Sequence, residues 1–224
     1  MATALLVALC AGFYSCGGDN DETPLNNDDN SNISNENGNS VIVGTTAMVQ
    51  LKKVGALSTL ISDNVKFNIT DLRIMGDING DDIALIREMA GADVKGNETN
   101  GKLANLNLSN ANLVNGGIYY TGITQEVSSS NELWQYMFYK CGSLTSIVLP
   151  NNIAHIGAFA LSYSGITSFT IPNNIQTIGN EAFANCTKLE SIVIGNSIVS
   201  AAENMLDGCI NLKKIRMLSD NSTY

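Results

Sequence analysis

The chain has 224 residues, of which 44% are apolar, and a net charge of −9, from 12 Lys and Arg against 21 Asp and Glu. This length suffices for one or two domains or for an array of small repeats. The acidic balance argues against nucleic acid as a partner, because nucleic-acid binding rests on clustered cations that neutralise phosphates. The single histidine, His155, leaves little room for zinc sites or histidine-dependent catalysis.

An uncharged apolar run, Ala2 to Tyr14, stands near the N-terminus. It is too short to span a bilayer as a helix, which needs about 20 residues, but it suits the core of a signal peptide. A serine and Cys16 follow, and a small residue before a cysteine at the end of an apolar run resembles a bacterial lipobox. The resemblance implies that the protein is exported and that Cys16 is acylated. The lipid on Cys16 would then anchor the residues that follow it to the outer membrane. Cys10, which follows a bulky leucine, is the weaker candidate. No basic residue precedes Lys52, so we expect the true start to lie upstream.

Residues 17–40 contain eight Asn, six acidic residues and no basic residue. A segment with so little apolar surface cannot offset its ordering entropy, which predicts a disordered tether. The acidic run after Cys16 also resembles the surface-export signal of Bacteroidota lipoproteins. A generic solvated linker is the alternative interpretation.

Six-residue segments with apolar residues at positions 1, 4 and 6 recur through the C-terminal half. They begin at Leu144, Ile166, Leu189 and Leu212, at spacings of 22, 23 and 23 residues. Positions 4 and 6 alternate as a half-buried strand requires. Because no single unit can bury its own apolar face, such a period predicts stacked repeats with parallel strands.

Each unit also carries a small residue at one fixed position. Cys141, Ser164, Cys186 and Cys209 occupy this position in successive units. Equivalent sites in neighbouring units stack, which predicts a column of small buried side chains. A Cys186–Cys209 disulfide is the alternative in an exported protein.

The same hexamer occurs twice upstream, at residues 69–74 and within residues 103–113, where Ala111 takes the Asn/Cys place of the leucine-rich-repeat pattern. The segment between them, Asp82 to Ala90, has an apolar face and ends at a glycine, which predicts a helix in a right-handed strand–helix–strand crossover. The spacing of apolar residues over residues 45–61 predicts another helix, which would cap the first strand.

The combined pattern over residues 133–217 resembles the BspA-type leucine-rich repeats of bacterial surface proteins, Bacteroides members among them. The hexamers and the helical segments predict an α/β leucine-rich-repeat solenoid with six parallel strands, a helical N-terminal cap and mostly β and short-turn C-terminal repeats. The resemblance implies a surface lipoprotein that acts in adhesion or protein binding. We divide the chain into a signal peptide (1–16), the tether (17–40), the cap with two repeat-like strands (41–130) and the repeats proper (131–224). Because the sequence stops one strand into a new unit, we expect a fragment of a longer protein.

Few residues in the chain suggest catalysis or metal binding. Asp77, Asn79, Asp81 and Glu88 fit positions 1, 3, 5 and 12 of a calcium-loop template, but Asp82 stands where that template needs glycine. A tight turn followed by a helix cap explains them better. His155 aligns with a threonine in the next unit, which indicates a surface position rather than a catalytic base. No phosphate-binding loop or metal-spaced cluster is present, so we expect no cofactor.

The residues between the buried strand positions should point outward and form an extended face. The candidate binding residues are Asn105, Asn107, Ser146, Val148, Ser168, Thr170, Ser191, Val193, Lys214 and Arg216. Repeat arrays bind partners through such faces. The sequence and the resemblance together predict a non-catalytic, lipid-anchored cell-surface module for adhesion or protein–protein interaction. Its ligand on this face would be a protein, host matrix among the options, or a glycan. A spacer in a larger surface assembly and a hydrolase using His155 are the alternatives.

Overall fold

The computed structural model describes residues 30–121 and 130–218. Cys16, the apolar run before it and residues 17–29 of the predicted tether lie outside the described residues. No helix in the described ranges is both long and apolar enough to cross a bilayer.

Most of the described chain forms short strands that stack side by side. The strands are β1 (Asn30–Asn35), β2 (Gly38–Val43), β3 (Thr46–Leu51), β4 (Asp71–Ile78), β5 (Asn105–Leu113), β6 (Glu132–Leu133), β7 (Ser146–Val148), β8 (His155–Ile156), β9 (Ser168–Thr170), β10 (Thr177–Ile178), β11 (Ser191–Ile194), β12 (Ser200–Ala201) and β13 (Lys214–Met217). Within the described ranges, one α-helix, α1 (Gly80–Met89), and two 3-10 turns, Leu57–Thr59 and Lys66–Asn68, complete the elements.

The strands form three sheets. The first has the order β1-β2-β3-β4-β5-β7, in which β1, β2 and β3 are antiparallel and the pairs from β3 to β7 are parallel. The second contains β9, β11 and β13, all parallel, and one backbone hydrogen bond from Thr167 to Thr145 joins it to the first. The third contains the two-residue strands β6, β8, β10 and β12. Each C-terminal unit thus contributes one strand to each of two faces.

The six parallel strands predicted from the hexamers are confirmed as β4, β5, β7, β9, β11 and β13. The apolar positions of the three inner units are buried, and Leu149, Ile171 and Ile194 lie in consecutive units of the stack. The last unit differs: Ile215 and Met217 are 56% and 68% exposed, because no described residue packs beyond β13. The second set of short strands, β6, β8, β10 and β12, was not predicted, because two residues are too few to show the alternation that identifies a strand.

The helix α1 lies between β4 and β5 as predicted, with Ile83, Ile86 and Met89 fully buried. Its N-cap is Asn79 rather than an aspartate: the Asn79 side chain accepts hydrogen bonds from the Asp81 and Asp82 backbone amides. The Asp82 carboxylate in turn accepts a hydrogen bond from the Asn79 backbone amide, which completes a capping box.

The predicted helical cap over residues 45–61 is wrong. Residues Thr46–Leu51 form strand β3, which pairs in parallel with β4, and only Leu57–Thr59 forms a 3-10 turn. Ala47, Val49 and Leu51 alternate toward the core, a period-two pattern embedded in the helix-like spacing. An uncovered edge of β4 would leave a row of unpaired backbone groups, and β3 satisfies them where a helix could not.

The predicted tether is also wrong for residues 30–40. These residues belong to a β1–β2 hairpin, in which Ile33 pairs with Ser40. Ile33 packs against the core, and the buried Ser40 hydroxyl donates to the Leu60 carbonyl. The composition of this segment did not predict the hairpin, because its residues have a weak preference for strands. The backbone hydrogen bonds between β2 and β3 stabilise the hairpin in spite of that preference.

Candidate binding face

The residues between the buried strand positions form two columns on each of the two sheets of parallel strands. Strand register aligns Asp71, Asn105 and Ser146 in one column of the first sheet and Arg73, Asn107 and Val148 in the other. In the second sheet, register aligns Ser168, Ser191 and Lys214, and separately Thr170, Val193 and Arg216. We call this surface the strand face. The structure therefore brings all ten predicted binding residues to one surface.

Small, accessible side chains occupy the middle of the strand face. Ser146, Ser168 and Thr170 are exposed, and Val148 is 47% exposed between them. Two shallow grooves cross this region: one of about 290 Å³ reaches from Thr46 and Met48 to Ser146 and Val148, and one of about 410 Å³ lies between Val148 and Thr170. A partner can therefore approach the backbone of the strands closely.

The charge of the strand face is opposite to that of the whole chain. Its two columns carry three cations, Arg73, Lys214 and Arg216, and one acid, Asp71. Asp71 is engaged, since Asn105 Nδ2 donates to it at 2.8 Å, whereas the buried Nε of Arg73 has no hydrogen-bond partner among the described residues. The face therefore favours an acidic partner surface.

His155 lies on the other strand set, in a polar ladder of Glu132, His155 and Thr177 on β6, β8 and β10. A 2.8 Å hydrogen bond joins His155 Nδ1 to the Thr177 hydroxyl, and all three residues are half-buried. Burial raises the pKa of the Glu132 carboxyl, while the nearby histidine opposes that shift. The two grooves of the strand face do not include these three residues.

The residues of the calcium-loop template have structural partners. The Asp82 carboxylate accepts from the amides of Gly55, Leu57 and Asn79 at 2.8–3.0 Å, and burial raises its pKa despite these bonds. Glu88 accepts from Lys66 Nζ at 3.0 Å. No group of three metal-ligating side chains occurs among residues 30–121 and 130–218.

The predicted column of small side chains is present, and its cysteines are free thiols. Ser164 Oγ and Cys186 Sγ lie 3.4 Å apart, and the Cys186 and Cys209 thiols donate to the carbonyls of Leu161 and Phe183 at 3.1 Å. The alternative Cys186–Cys209 disulfide is not formed. Burial raises the pKa of the Cys141 and Cys186 thiols to about 11.

Sequence reasoning missed a cluster of five aromatic rings on the turn side of the stack. Tyr136 stacks face to face on Tyr120 and on Phe159, with centroids 5.2 and 4.7 Å apart. Tyr139 meets Tyr120 and Tyr136 edge-on, and Tyr163 meets Tyr139 edge-on. We call this set the aromatic cluster. Tyr136 and Phe159 hold equivalent positions in consecutive units, a signal that the sequence does contain. Tyr120 comes from a different segment, and only the fold brings it there.

Residues 121–224 match the family model described as "BspA type Leucine rich repeat region" with six copies. Among solved structures, the chain is similar to a leucine-rich repeat protein from Eubacterium ventriosum, at 13% identity and a TM-score of 0.46, over 85% of this chain and 44% of that one. It is also similar to a leucine-rich repeat protein from Bacteroides ovatus, at 13% identity and a TM-score of 0.35, over 88% and 77% of the two chains. A T. pallidum leucine-rich repeat protein aligns at 14% identity and a TM-score of 0.35, over 79% and 76%.

The chain thus spans less than half the length of the Eubacterium protein and about three quarters of the other two. No curated protein matches it.

Proposed function

We propose that this chain, whose residues 121–224 match the model of BspA-type leucine-rich repeats, is a cell-surface adhesion module that binds a protein partner through the strand face. The observation that carries the proposal is the register that aligns the outward positions of β4, β5 and β7 and, separately, those of β9, β11 and β13, with one groove spanning Ser146 to Thr170 where the two sheets adjoin. An extended surface of this kind suits a partner of similar size better than a small substrate.

The composition of the strand face supports a protein partner with an acidic surface. Small hydroxyl side chains at Ser146, Ser168 and Thr170 let a partner approach closely and leave hydroxyls free for hydrogen bonds. The cations Arg73, Lys214 and Arg216 flank this centre at the two ends of the strand stack. Complementary charge of this kind speeds association and suppresses binding of basic partners.

Anchoring is the second element of the proposal. The lipobox resemblance supports Cys16 as the acylated residue, with the chain held at the outer membrane and displayed outward. Several acyl chains provide stable attachment, since each buried CH₂ contributes about 0.8 kcal/mol and one chain alone is marginal. Mass analysis of the protein from cells should show a lipid on Cys16 that Cys16→Ala removes and Cys10→Ala does not. An unmodified cysteine at position 16 would refute the anchor.

The test of the strand face is a binding screen of the full chain against a panel of extracellular-matrix proteins by biolayer interferometry. We expect at least one acidic matrix protein to bind. The double variant Ser168→Glu/Thr170→Glu places two like charges at the centre of the face and should weaken that binding at least about 100-fold, since like-charge juxtaposition at an interface costs several kcal/mol.

The matched control is Thr187→Glu/Ser197→Glu, which adds the same charge at two exposed positions outside the face. Equal loss in both double variants would contradict the assignment to the strand face. If no matrix protein in the panel binds, a spacer role in a larger surface assembly would be favoured over adhesion.

A further inference from the structure

The turn side of the stack carries a second concave surface that the strand face does not include. A groove of about 470 Å³ lies next to the aromatic cluster, within the range of ligand sites. Its floor is backbone at Gly91 and Gly142, and its walls carry Glu98, Lys140 and Tyr163. We call it the turn groove.

Three separate segments build the turn groove. The 93–98 loop is held by Asp93, whose carboxylate accepts from the Lys95 and Asn97 amides at 2.8 Å. Gly96 brings this loop against the aromatic cluster, since a Cβ at that position would lie 3.6 Å from Tyr120 Oη. The first and second C-terminal units supply Lys140 and Tyr163. Groups from three segments thus converge on one cavity.

Both Lys140 and Tyr163 have left-handed backbone conformations, with φ of +61° and +58°. They occupy equivalent positions in consecutive units, so their side chains leave the turns side by side. A non-glycine residue in this conformation costs about 1–2 kcal/mol, which the stack must offset. Asn185 holds the next equivalent position at φ +57°, so a short polar residue is also accommodated there.

Tyr163 presents an open ring to the groove. It is 48% exposed, and its one aromatic contact among the described residues is the edge-on meeting with Tyr139, at 5.6 Å and 79°. No described ring stacks on its face. The electron-rich face of a tyrosine attracts the weakly positive C–H groups of a flat apolar patch, such as one side of a pyranose ring.

The rest of the lining is polar, with its hydroxyl donors already used. Ser143 Oγ donates to the Gly101 carbonyl at 2.7 Å, and Thr99 Oγ1 donates to the Glu88 carbonyl. Their oxygens remain as acceptors at fixed positions. Glu98 can accept further hydrogen bonds and Lys140 can donate them, and their charges cancel. A purely apolar ligand would leave these groups desolvated and unpaired. Among the lining residues, the one acid and the one base together favour neither sign of charge on a ligand.

From this combination we propose that the turn groove is a binding site for a neutral oligosaccharide, in which Tyr163 stacks on a sugar ring and Glu98 and Lys140 bond its hydroxyls. The site is distinct from the strand face and does not depend on it. It gives the module a second ligand, of a different chemical class from the protein partner.

The test uses saturation-transfer-difference NMR on the full chain with neutral tetrasaccharides of glucose, mannose, xylose and N-acetylglucosamine at millimolar concentration. Sulfated and uronic-acid tetrasaccharides form the charged arm. We expect at least one neutral oligosaccharide to bind, with saturation strongest at the C–H groups of one sugar ring.

Two variants localise the binding. Tyr163→Asn copies the residue found at the equivalent position of the next unit, and Glu98→Gln keeps the size of the side chain. Each should weaken the affinity at least about tenfold, while near- and far-UV circular dichroism stay unchanged. Ser168→Glu/Thr170→Glu should leave saccharide binding intact, which separates this test from that of the strand face.

The proposal is overturned if no neutral tetrasaccharide binds, if only the charged ones bind, or if Tyr163→Asn binds as the unaltered chain does. Retained saccharide binding together with a failed matrix-protein screen would support the turn groove and reject the strand face.

Discussion

The N-terminal and C-terminal parts of the stack reach the same parallel arrangement by different means. In residues 30–121 the strands are six to nine residues long, and every left-handed position is a glycine. In residues 130–218 the strands are two to four residues long, and six left-handed positions carry larger residues, among them Tyr136, Phe159 and Glu181. Gly208 is the one left-handed glycine described there.

This difference shows which force sets the backbone in each part. Where a left-handed conformation occurs only once, as at Gly76 within β4, the residue itself must adopt it at little energetic cost, and glycine does so. Where the turn recurs every 22 or 23 residues, hydrogen bonds between units hold it in place. Phe159 N donates to Asn180 O and Tyr163 N donates to Ala184 O, each in the next unit. The hydrogen bonds between stacked units therefore hold these residues in a left-handed conformation that a non-glycine residue disfavours.

Arg87 joins the two parts, and removing it is expected to have the largest effect. This fully buried side chain on α1 donates from Nη1 to the Tyr136 and Met137 carbonyls and from Nη2 to Asp93, each at 3.0 Å. Its guanidinium also lies 5.1 Å from the centre of the Tyr120 ring. Arg87→Met removes three hydrogen bonds from a charged donor and leaves the Met137 carbonyl without one, while the Tyr136 and Asp93 carbonyls keep the backbone amides of Tyr139 and Gly96. We expect it to lower the free energy of unfolding by about 3–5 kcal/mol, since hydrogen bonds to charged groups contribute about 1.5–3 kcal/mol each.

Urea denaturation followed by circular dichroism measures this loss. The exposed Lys102 provides the control, since Lys102→Met should change the free energy of unfolding by less than about 0.5 kcal/mol. A loss below about 1 kcal/mol in Arg87→Met would mean that the two parts are not coupled through this side chain.

The contrast between left-handed glycines in the N-terminal part and left-handed larger residues in the C-terminal part predicts a large loss of stability in one variant and a small change in another. In Gly76→Ala the new Cβ would lie 2.5 Å from the Leu51 carbonyl oxygen at φ +102°, so we expect a loss of about 2–4 kcal/mol. Glu181→Gly, at φ +53°, relieves strain but increases the entropy of the unfolded chain, so the change should stay within about 1 kcal/mol. Thermal and urea unfolding of both variants tests the pair, and a large loss in Glu181→Gly would show that side-chain contacts, not stacking, hold that turn.

The smallest effect concerns pH and the two innermost thiols of the small-residue column. Burial raises the pKa of Cys141 and Cys186 to about 11, whereas the ordinary value is 9.0. The folded state therefore keeps protons that the unfolded state releases. This contribution is fully present below pH 9 and is lost as pH rises toward 11, by about 1 kcal/mol per thiol at pH 10.

Urea midpoints measured between pH 8 and 10 test the thiols against the double variant Cys141→Ala/Cys186→Ala. The variant is less stable at neutral pH but should lose less stability on raising the pH. Parallel pH profiles for the two proteins would contradict the role of the thiols.

The aromatic cluster marks the limit of what local patterns can predict. Tyr136, Phe159 and Tyr163 occupy fixed positions within the repeat unit, so the sequence could have predicted that they lie close together in the stack. Tyr120 and the 93–98 loop come from outside the repeats, and their approach to the cluster depends on the crossover through α1. The same holds for residues 45–61, where spacing allowed both a helix and a strand and the free edge of β4 decided between them.

The sequence alone determined the repeat period, the six parallel strands, the buried column and the ten residues that share the strand face. These follow from apolar spacing, since a residue two positions along a strand or one unit along the stack must face the same side. Only the tertiary structure decided that residues 30–51 form strands, that a second set of two-residue strands exists and that an aromatic cluster borders the turn groove. Those features depend on backbone groups that need a partner and on contacts between distant segments, and neither leaves a periodic trace in the chain.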